Sequence, residues 1–169
     1  MRPRSSVFFC FLLPLIFCCG CKINPSELSE EEKNNIKKEV RSIVEEGIIA
    51  ANNHDPDAMM RVHWNSEDYL AITNGTFLNG WETLYNVVSF VHSNPRNQSF
   101  TIEQEVVDIR VLNNLTAYVI AKGRLINVPT KDSTITENYA LTMIVEKIDG
   151  EWKKTIAHES WLSADLFSE

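Results

Sequence analysis

The hydrophobic pattern of this chain changes its period near Gln98, and that change limits the folds the chain can adopt. Before Gln98, apolar residues recur every three or four positions, as they do on the buried face of a helix. After it, apolar and polar residues alternate through four predicted strands, at about 99–112, 115–128, 134–148 and 151–161. Helices that come first and long strands that come last are typical of a helical layer on an antiparallel sheet, so we predict an α+β fold.

The first half of the chain contains three predicted helices. A capping box formed by Ser29 and Glu32 begins the first and longest of them. Asp55 and Pro56 begin a short second helix, because Asp is a good N-cap and the first helical position does not need the N–H that Pro lacks. The third helix spans about residues 81–92, where apolar residues again follow helical spacing.

Charged residues predict how the first two long strands pair. With a turn at Asn113-Asn114, Glu105 lies opposite Lys122 and Glu103 lies opposite Arg124. Opposite charges at two positions on the same face stabilise this register.

Asp149-Gly150 is a strong signal for a two-residue hairpin turn and predicts how the last two strands pair. A regular ladder from this turn pairs Leu141 with His158 and Tyr139 with Ser160. One face of the hairpin then carries Tyr139, Leu141, Met143, Val145, Trp152, Ile156, His158 and Ser160. The opposite face carries Ala140, Thr142, Ile144, Thr155, Ala157 and Glu159.

Composition excludes several classes of protein. The chain has 169 residues, enough for one domain with a core, and its net charge of −7 argues against nucleic-acid binding, which needs a basic face. All four cysteines lie within the first 21 residues, so the rest of the chain has neither a disulfide framework nor a Cys-based zinc site. The histidines lack the spacing of metal ligands and no Gly-rich phosphate loop is present, so we expect neither a metal nor a cofactor.

The first residues follow the pattern of a secretory signal. Arg2 and Arg4 precede an apolar run, Val7 to Cys19, which is too short for a membrane-spanning helix. The run ends at Gly20-Cys21, which resembles the bacterial lipobox. The resemblance implies cleavage before Cys21 and attachment of a lipid to it, and an ordinary cleaved signal is the alternative.

This signal predicts the organisation of the chain and its location. Residues 1–20 are the expected signal peptide, residues 21–28 the lipidated N-terminus and tether, and residues 29–169 the folded domain. We expect a protein of the bacterial cell envelope that its lipid holds at the membrane, because anionic headgroups repel an acidic surface. Lys22 follows the cysteine as in lipoproteins sorted to the outer membrane, where the domain would face the periplasm or the cell surface.

The helices, an early strand and the long meander together resemble the cone-shaped fold of the nuclear-transport-factor-2-like (NTF2-like) superfamily. Within it, the chain is similar to the SnoaL-like/DUF4440 group over about residues 30–162, through NHDPDAM at 53–59, DYLAITNG at 68–75, IDGEW at 148–152 and AHES at 157–160. The resemblance implies three N-terminal helices packed on a strongly curved antiparallel sheet, with an apolar pocket at the open end of the cone. Back-to-back homodimers are common in this superfamily, so the outer hairpin face of Ala140, Thr142, Ile144 and Ala157 is a candidate dimer surface.

The resemblance and the hairpin register together predict a ligand pocket. Its expected lining consists of Trp64, Tyr69, Tyr139, Leu141, Met143, Ile156, His158 and Ser160. The function that we favour is non-catalytic, in which the apolar cone binds a small, partly apolar ligand or mediates an interaction.

An enzyme is the alternative. Enzymes that share the resembled fold, such as ketosteroid isomerase, scytalone dehydratase and polyketide cyclases, hold an Asp or His inside the cone. The resemblance places the catalytic positions of the isomerase near Thr73, near Gly47, and near Leu141 or Thr142 of this chain. None of these residues can do that chemistry. His158 is the remaining acid/base candidate, with Asp68 as a second one. The chain would then be a cofactor-independent isomerase, dehydratase or cyclase, and a carboxylate within reach of His158 would favour this function.

Overall fold

The computed structural model describes residues 27–95, 99–130 and 133–163. The helices are α1 (Glu30–Asn52), α2 (Pro56–Arg61) and α3 (Trp81–Ser93). The strands are β1 (Leu70–Thr73), β2 (Thr76–Asn79), β3 (Thr101–Asn113), β4 (Thr116–Thr130), β5 (Ser133–Ile148) and β6 (Glu151–Ser163). The predicted α+β fold is confirmed. The predicted signal peptide and Cys21 lie outside the described residues, and within those residues no helix is both long enough and apolar enough to cross a membrane.

The strands form one curved sheet in the order β2-β1-β6-β5-β4-β3. Neighbouring strands are antiparallel except β1 and β6, which run parallel. The predicted antiparallel arrangement is therefore correct for the meander of β3 to β6. The prediction omits the parallel pair of β1 and β6, because no local pattern links a short early strand to a strand near the end of the chain. The parallel pair places Thr73 beside Glu159.

Local sequence sets the ends of the first two helices. Ser29 Oγ accepts a hydrogen bond from the N–H of Glu32, whose carboxylate accepts one from the N–H of Ser29, so the predicted capping box is confirmed. His54 has a φ of 54° and ends α1 in the left-handed conformation that closes many helices. Asp55 then caps α2 as predicted, with its Oδ1 accepting a hydrogen bond of 2.8 Å from the N–H of Ala58.

One half of the cone has a densely packed core. Ile36, Val40 and Val44 of α1 lie against the concave face of the sheet. Trp152 is buried there, and its Nε1–H donates a hydrogen bond of 2.7 Å to Glu39 of α1. Trp152 therefore lies between the last hairpin and the first helix. The sheet contributes Ile109, Ala117, Val119, Met143 and Val145 to the same core.

The pairing of β3 with β4 is as predicted at the end far from the turn. Glu103 pairs with Arg124 and Glu105 with Lys122, and both pairs form ion pairs. Two bulges in β3 separate these pairs from the turn, so the turn itself lies one residue later in the chain than predicted.

The pairing of β5 with β6 is as predicted from the turn as far as Lys154 and is wrong beyond it. Val145 pairs with Lys154, but the next pair is Ile144 with Ile156, so Thr155 is an additional residue in β6. Such a bulge turns every later side chain of the strand to the opposite face.

This bulge corrects the predicted pocket lining. Ala157 and Glu159 face the concave side of the sheet, whereas we predicted both on the outer face. Ile156 is 37% exposed, and His158 and Ser160 are also exposed on the outer face. A regular ladder could not reveal the shift, because the turn determines the register only as far as the first irregularity.

Candidate functional site

The second half of the cone contains a cavity in place of a packed core. It has a volume of about 630 Å³ and lies between α1, α3 and the concave face of the sheet. This volume is within the ordinary range of small-molecule sites. Gly47 and Ala51 of α1 border it, whereas the larger Val40 and Val44 of the same helix fill the packed half. Most of the lining is apolar, including Ile48, Ala71, Ile72, Leu78, Leu84, Val87, Val88, Val91, Leu125, Leu141 and Met143.

Lys154 and Glu159 bring two ionisable groups into this cavity. They lie on the same face of β6, although they are five positions apart, because the bulge at Thr155 changes the alternation between them. Lys154 is only 7% exposed, and its Nζ makes no hydrogen bond or ion pair with any described residue. If residue 47 of α1 had a side chain, its Cβ would lie 2.9 Å from Lys154 Nζ. Because Gly47 has none, the amine has space at this position.

The Glu159 carboxylate already has hydrogen-bond partners. Thr73 Oγ1 donates a hydrogen bond of 2.8 Å to Glu159 Oε1 across the parallel pair of strands, and the Trp161 indole donates another. The backbone N–H of Trp161 in turn donates to Asn74 Oδ1 at 2.7 Å. These contacts fix the carboxylate at the junction of β1 and β6.

Tyr69 and His63 lie next to these groups. Tyr69 is 1% exposed and lines the cavity, and its hydroxyl has no hydrogen-bond partner among the described residues. The rings of His63 and Tyr69 meet edge to face with their centroids 5.5 Å apart. His63 Nδ1 hydrogen bonds to the carbonyl of Met59 at 3.0 Å. We call the following five residues the polar end of the cavity: Lys154, Glu159, Tyr69, His63 and Thr73.

Burial shifts the pKa values of the polar end toward the neutral forms of its groups. It raises the pKa of the Glu159 carboxyl, against the opposing effects of its hydrogen bonds and of the Lys154 charge. It lowers the pKa of the Lys154 amine to about 8, although the charge of Glu159 opposes this shift. It lowers the pKa of His63 to about 3, and the Lys154 charge acts in the same direction. Burial, followed by the charge of Glu159, also raises the pKa of the Tyr69 hydroxyl.

Tyr139 lines the cavity beyond the polar end, and its hydroxyl is satisfied. It donates a hydrogen bond of 2.9 Å to Gln104 Oε1, and its ring lies 4.6 Å from the Trp161 ring between centroids. If residue 123 of β4 had a side chain, its Cβ would lie 2.6 Å from the Tyr139 hydroxyl. Because Gly123 has none, the Tyr139 side chain can lie across β4. Tyr139 therefore contrasts with Tyr69, whose hydroxyl has no such partner.

Two histidines form a third polar feature beside the cavity. His54, His92 and Phe100 pack edge to face with centroid distances of 4.6 to 5.7 Å. His92 lines the cavity, and burial followed by the nearby His54 lowers its pKa, against the charge of Asp55. Across residues 27–95, 99–130 and 133–163, no three His, Cys, Asp or Glu side chains are grouped closely enough to hold a metal ion.

The structure divides the predicted lining residues into two groups. Four of the eight line the cavity: Tyr69, Tyr139, Leu141 and Met143. Trp64 lines a separate surface cleft with Trp81 and Tyr85. Ile156, His158 and Ser160 point away from the cavity because of the bulge in β6.

The two predicted acid/base candidates both lie outside the cavity lining. Asp68 is exposed, and its backbone N–H bonds to Ser66 Oγ near the start of β1. His158 is on the outer face of the sheet, and neither Asp68 nor Glu137 hydrogen bonds to it in the described part of the chain. The carboxylate that would have favoured an enzyme acting through His158 is therefore not beside it.

Sequence reasoning missed Lys154, Glu159, His63 and Thr73 as cavity residues. One signal was available for the two residues of β6. Trp152 and Trp161 are nine positions apart, so a regular strand would place them on opposite faces, and one of these large aromatic side chains would face solvent. A bulge between them puts both on the concave side, and it also turns Glu159 inward.

Comparison with known proteins identifies the family. The family described as the SnoaL-like domain matches residues 40–164 of this chain. The chain belongs to this family. No curated protein matches the SnoaL-like chain.

Solved structures share the fold of this SnoaL-like domain. An NTF2-like protein of unknown function from Shewanella oneidensis is 28% identical, with a TM-score of 0.64 and coverage of 74% of this chain and 98% of its own. A putative scytalone dehydratase from Novosphingobium aromaticivorans is 12% identical, with a TM-score of 0.70 and coverage of 79% of this chain and 89% of its own. The hexachlorocyclohexane dehydrochlorinase LinA-type3 from Novosphingobium barchaimii is 15% identical, with a TM-score of 0.66 and coverage of 79% of this chain and 90% of its own. The last two resemble this chain in fold alone.

Proposed function

We propose that this SnoaL-like domain binds a small, largely apolar molecule in its cavity, with a polar group of that molecule at the polar end. The observation that carries this proposal is the largely apolar cavity bordered by Tyr69, whose buried hydroxyl has no partner among the described residues. A buried hydroxyl without a partner costs about 1–3 kcal/mol, so a bound molecule that pairs with it gains stability. The apolar lining adds affinity as it removes the body of the molecule from water.

Native mass spectrometry of the protein purified from its own cells tests this proposal. We expect a small molecule to remain bound to the parent chain and to the outer-face variant His158→Ala. We expect it to be absent from Leu141→Trp, because the indole occupies cavity volume. If the parent chain carries no small molecule and also fails to bind 8-anilinonaphthalene-1-sulfonate, a probe of apolar cavities, the proposal is wrong.

Glu159 favours a second function, an isomerase, dehydratase or cyclase that does not depend on His158. The Glu159 carboxyl lies in an apolar cavity, and burial raises its pKa. A carboxyl of this kind can move a proton near neutral pH. In such a step the carboxylate takes a proton from the carbon beside a carbonyl, and the Tyr69 hydroxyl donates a hydrogen bond to the resulting enolate oxygen. The carboxyl then returns the proton to carbon.

Exchange of deuterium from D₂O into cyclohexanone measures this proton transfer directly. If the chain is such an enzyme, the parent accelerates exchange above the rate in buffer, Glu159→Gln abolishes the acceleration and His158→Ala retains it. Equal exchange rates for the parent and Glu159→Gln would exclude this second function. That result would leave the binding proposal intact.

We also propose that the chain is a lipoprotein of the bacterial cell envelope, held at the outer membrane by a lipid on Cys21. Its support is the signal pattern that ends at Gly20-Cys21. We expect Cys21→Ser to block processing and to remove the mature domain from the membrane fraction. If Cys21→Ser protein is processed and sediments with membranes as the parent does, the lipid anchor is wrong.

The outer face of the sheet is a proposed homodimer surface. Compared with the predicted outer face, the bulge adds Ile156 and His158 and removes Ala157. Ile144 pairs with Ile156 on this face, and Thr142 lies beside them. Apolar residues at the centre of an exposed sheet face favour association between copies. Sedimentation equilibrium should give a dimer for the parent and a monomer for Ile156→Glu, and a monomeric parent would contradict the proposal.

A further inference from the structure

The polar end of the cavity has more free hydrogen-bond donors than free acceptors. The Lys154 ammonium carries three N–H donors and no acceptor, and its Nζ has no partner among the described residues. The Tyr69 hydroxyl is a second unpaired donor. The Glu159 carboxylate, an acceptor in the same cavity, already accepts a hydrogen bond from Thr73. A molecule that completes this site must therefore supply acceptor oxygens.

His63, Tyr69, Lys154 and Glu159 line the same cavity and therefore form a single site, in which their charges influence one another. The pKa of His63 responds to the charge of Lys154, and that of Tyr69 responds to the charge of Glu159. The parallel pairing of β1 with β6 explains this arrangement. Leu70 pairs with Ile156, so Tyr69, which immediately precedes Leu70, lies beside the start of this part of β6. Lys154 and Tyr69 both line this cavity, so a bound head group has an amine and a hydroxyl donor within one site.

We propose that the occupant of the cavity is an amphipathic monocarboxylate, whose carboxylate head binds Lys154 Nζ and the Tyr69 hydroxyl while its apolar body lies along the helix-lined side of the cavity. This inference rests on the proposed binding function and specifies the class of ligand. A buried ammonium without an anionic partner is costly, and an ion pair with hydrogen bonds is the common way to stabilise it. Charge-assisted bonds of this kind are also the stronger ones.

Glu159 is compatible with a second carboxylate in the site. Two carboxylates close together do not both stay ionised, so one of them takes up a proton from solvent when the ligand binds. Burial already raises the pKa of Glu159, which favours Glu159 as the group that takes up this proton. The protonated carboxyl is then a third hydrogen-bond donor to the head group, and the charge of Lys154 is balanced by the ligand.

The body of the ligand faces a largely apolar surface, which His92 of α3 borders and on which no Lys, Arg, Asp or Glu lies among the described lining residues. Beyond the polar end, the cavity is bordered by the small residues of α1, by Leu84, Val88 and Val91 of α3, and by Leu141 of β5. Burial of an alkyl or ring system against these side chains contributes about 25 cal/mol per Å² of apolar area removed from water.

Three eight-carbon molecules that differ only in their head group test the inference by isothermal titration calorimetry on the purified full chain at pH 7. The probes are octanoate, octan-1-ol and octylamine. We expect octanoate to bind at least tenfold more tightly than either of the others. Equal affinities for octanoate and octan-1-ol would overturn the carboxylate assignment and leave the binding function standing. Tightest binding of octylamine would identify Glu159 as the group that binds the head and would also overturn the inference.

Variants then identify the groups that bind the head. We expect Lys154→Met to lower the affinity for octanoate at least tenfold while leaving that for octan-1-ol unchanged, and Tyr69→Phe to lower it several-fold. Lys153→Met is the matched control, because Lys153 Nζ bonds outside the cavity to the carbonyl of Arg61 and to Glu151, and we expect it to bind like the parent. Removing a buried charge in favour of methionine is often neutral for stability, and circular dichroism checks that each variant is folded. If Lys154→Met retains the preference for octanoate, the inference is wrong.

If none of the three probes binds and the protein purified from its own cells carries no small molecule, the binding function itself fails. The head-group series in the parent chain therefore distinguishes failure of the ligand class from failure of the proposed function.

Discussion

The two halves of the cone are built from the same helix and the same sheet, yet one is filled and the other contains a cavity. In the filled half, Val40 and Val44 of α1 meet Val119, Val145 and other buried residues of the sheet. In the other half, α1 presents Gly47 and Ala51, and the space in front of them is a cavity of about 630 Å³.

The comparison shows that small residues alone do not account for the cavity. Gly47 leaves space, but that space is bordered by Lys154, whose amine lies against the glycine. Lys154 and Glu159 share this face only because of the bulge at Thr155. The filled half stabilises the fold, and the half with the cavity carries polar groups whose burial is costly unless something pairs with them. We therefore expect substitutions in the two halves to act on different properties.

Replacing Trp152 with Ala should give the largest loss of stability, about 3–5 kcal/mol, because the ring is buried in the filled half and bonds to Glu39. Trp161→Ala, in the half with the cavity, should cost less than half as much, since solvent can occupy the space that the ring leaves. Chemical denaturation of both variants measures the difference. Equal losses would contradict the division of the cone into a filled half and a half with a cavity.

The stability of the parent chain should rise with pH between pH 8 and 10 relative to Lys154→Met. Burial lowers the pKa of Lys154 from 10.5 to about 8, so in this range the unfolded chain holds a proton that the folded chain has released. Stability rises with pH wherever the unfolded state binds more protons, here by about 2 kcal/mol. Both chains keep the other ionisable groups of the polar end, Glu159, His63 and Tyr69, so the difference between their two pH profiles of unfolding free energy reports on Lys154. Parallel pH profiles would show that the amine remains protonated when the chain folds.

The smallest effect is expected from His158→Ala. The side chain is exposed on the outer face of the sheet, so the free energy of unfolding should change by less than about 0.5 kcal/mol. The affinity for octanoate should also stay the same, because the imidazole does not line the cavity. A loss of octanoate affinity in His158→Ala, with stability unchanged, would show that this residue faces the ligand after all.

The two long hairpins explain which parts of the fold could be predicted from the sequence. Opposite charges predict the far end of the β3–β4 pair correctly, through Glu103 with Arg124 and Glu105 with Lys122, while the turn itself is displaced. The β5–β6 pair behaves in the opposite way, since its turn is correct and its far end is displaced beyond Thr155. Each signal determines pairing only on its own side of a bulge, and a single extra residue reverses the faces beyond it.

The candidate site depends on the features that local patterns do not encode. The resemblance and the hairpin register predict Tyr69, Tyr139 and Leu141 as pocket residues, and all three line the cavity. A regular alternation places Glu159 on the outer face, and no local pattern indicates that a charged residue such as Lys154 is buried. Only the parallel pairing of β1 with β6 and the bulge in β6 bring these groups together. The capping signals of α1 and α2 act within a few residues and were correct.

The accessibility of two neighbouring positions of β6 tests the central claim most directly, since one of them lines the cavity and the other faces outward. Cysteine is introduced singly through Ala157→Cys and His158→Cys, and mass spectrometry follows the rate at which a thiol reagent labels each introduced side chain, with and without octanoate. We expect octanoate to slow labelling of Ala157→Cys severalfold and to leave labelling of His158→Cys unchanged, because only residue 157 lies in the cavity. Protection of His158→Cys with none at Ala157→Cys would contradict both the register of β6 and the site built on it.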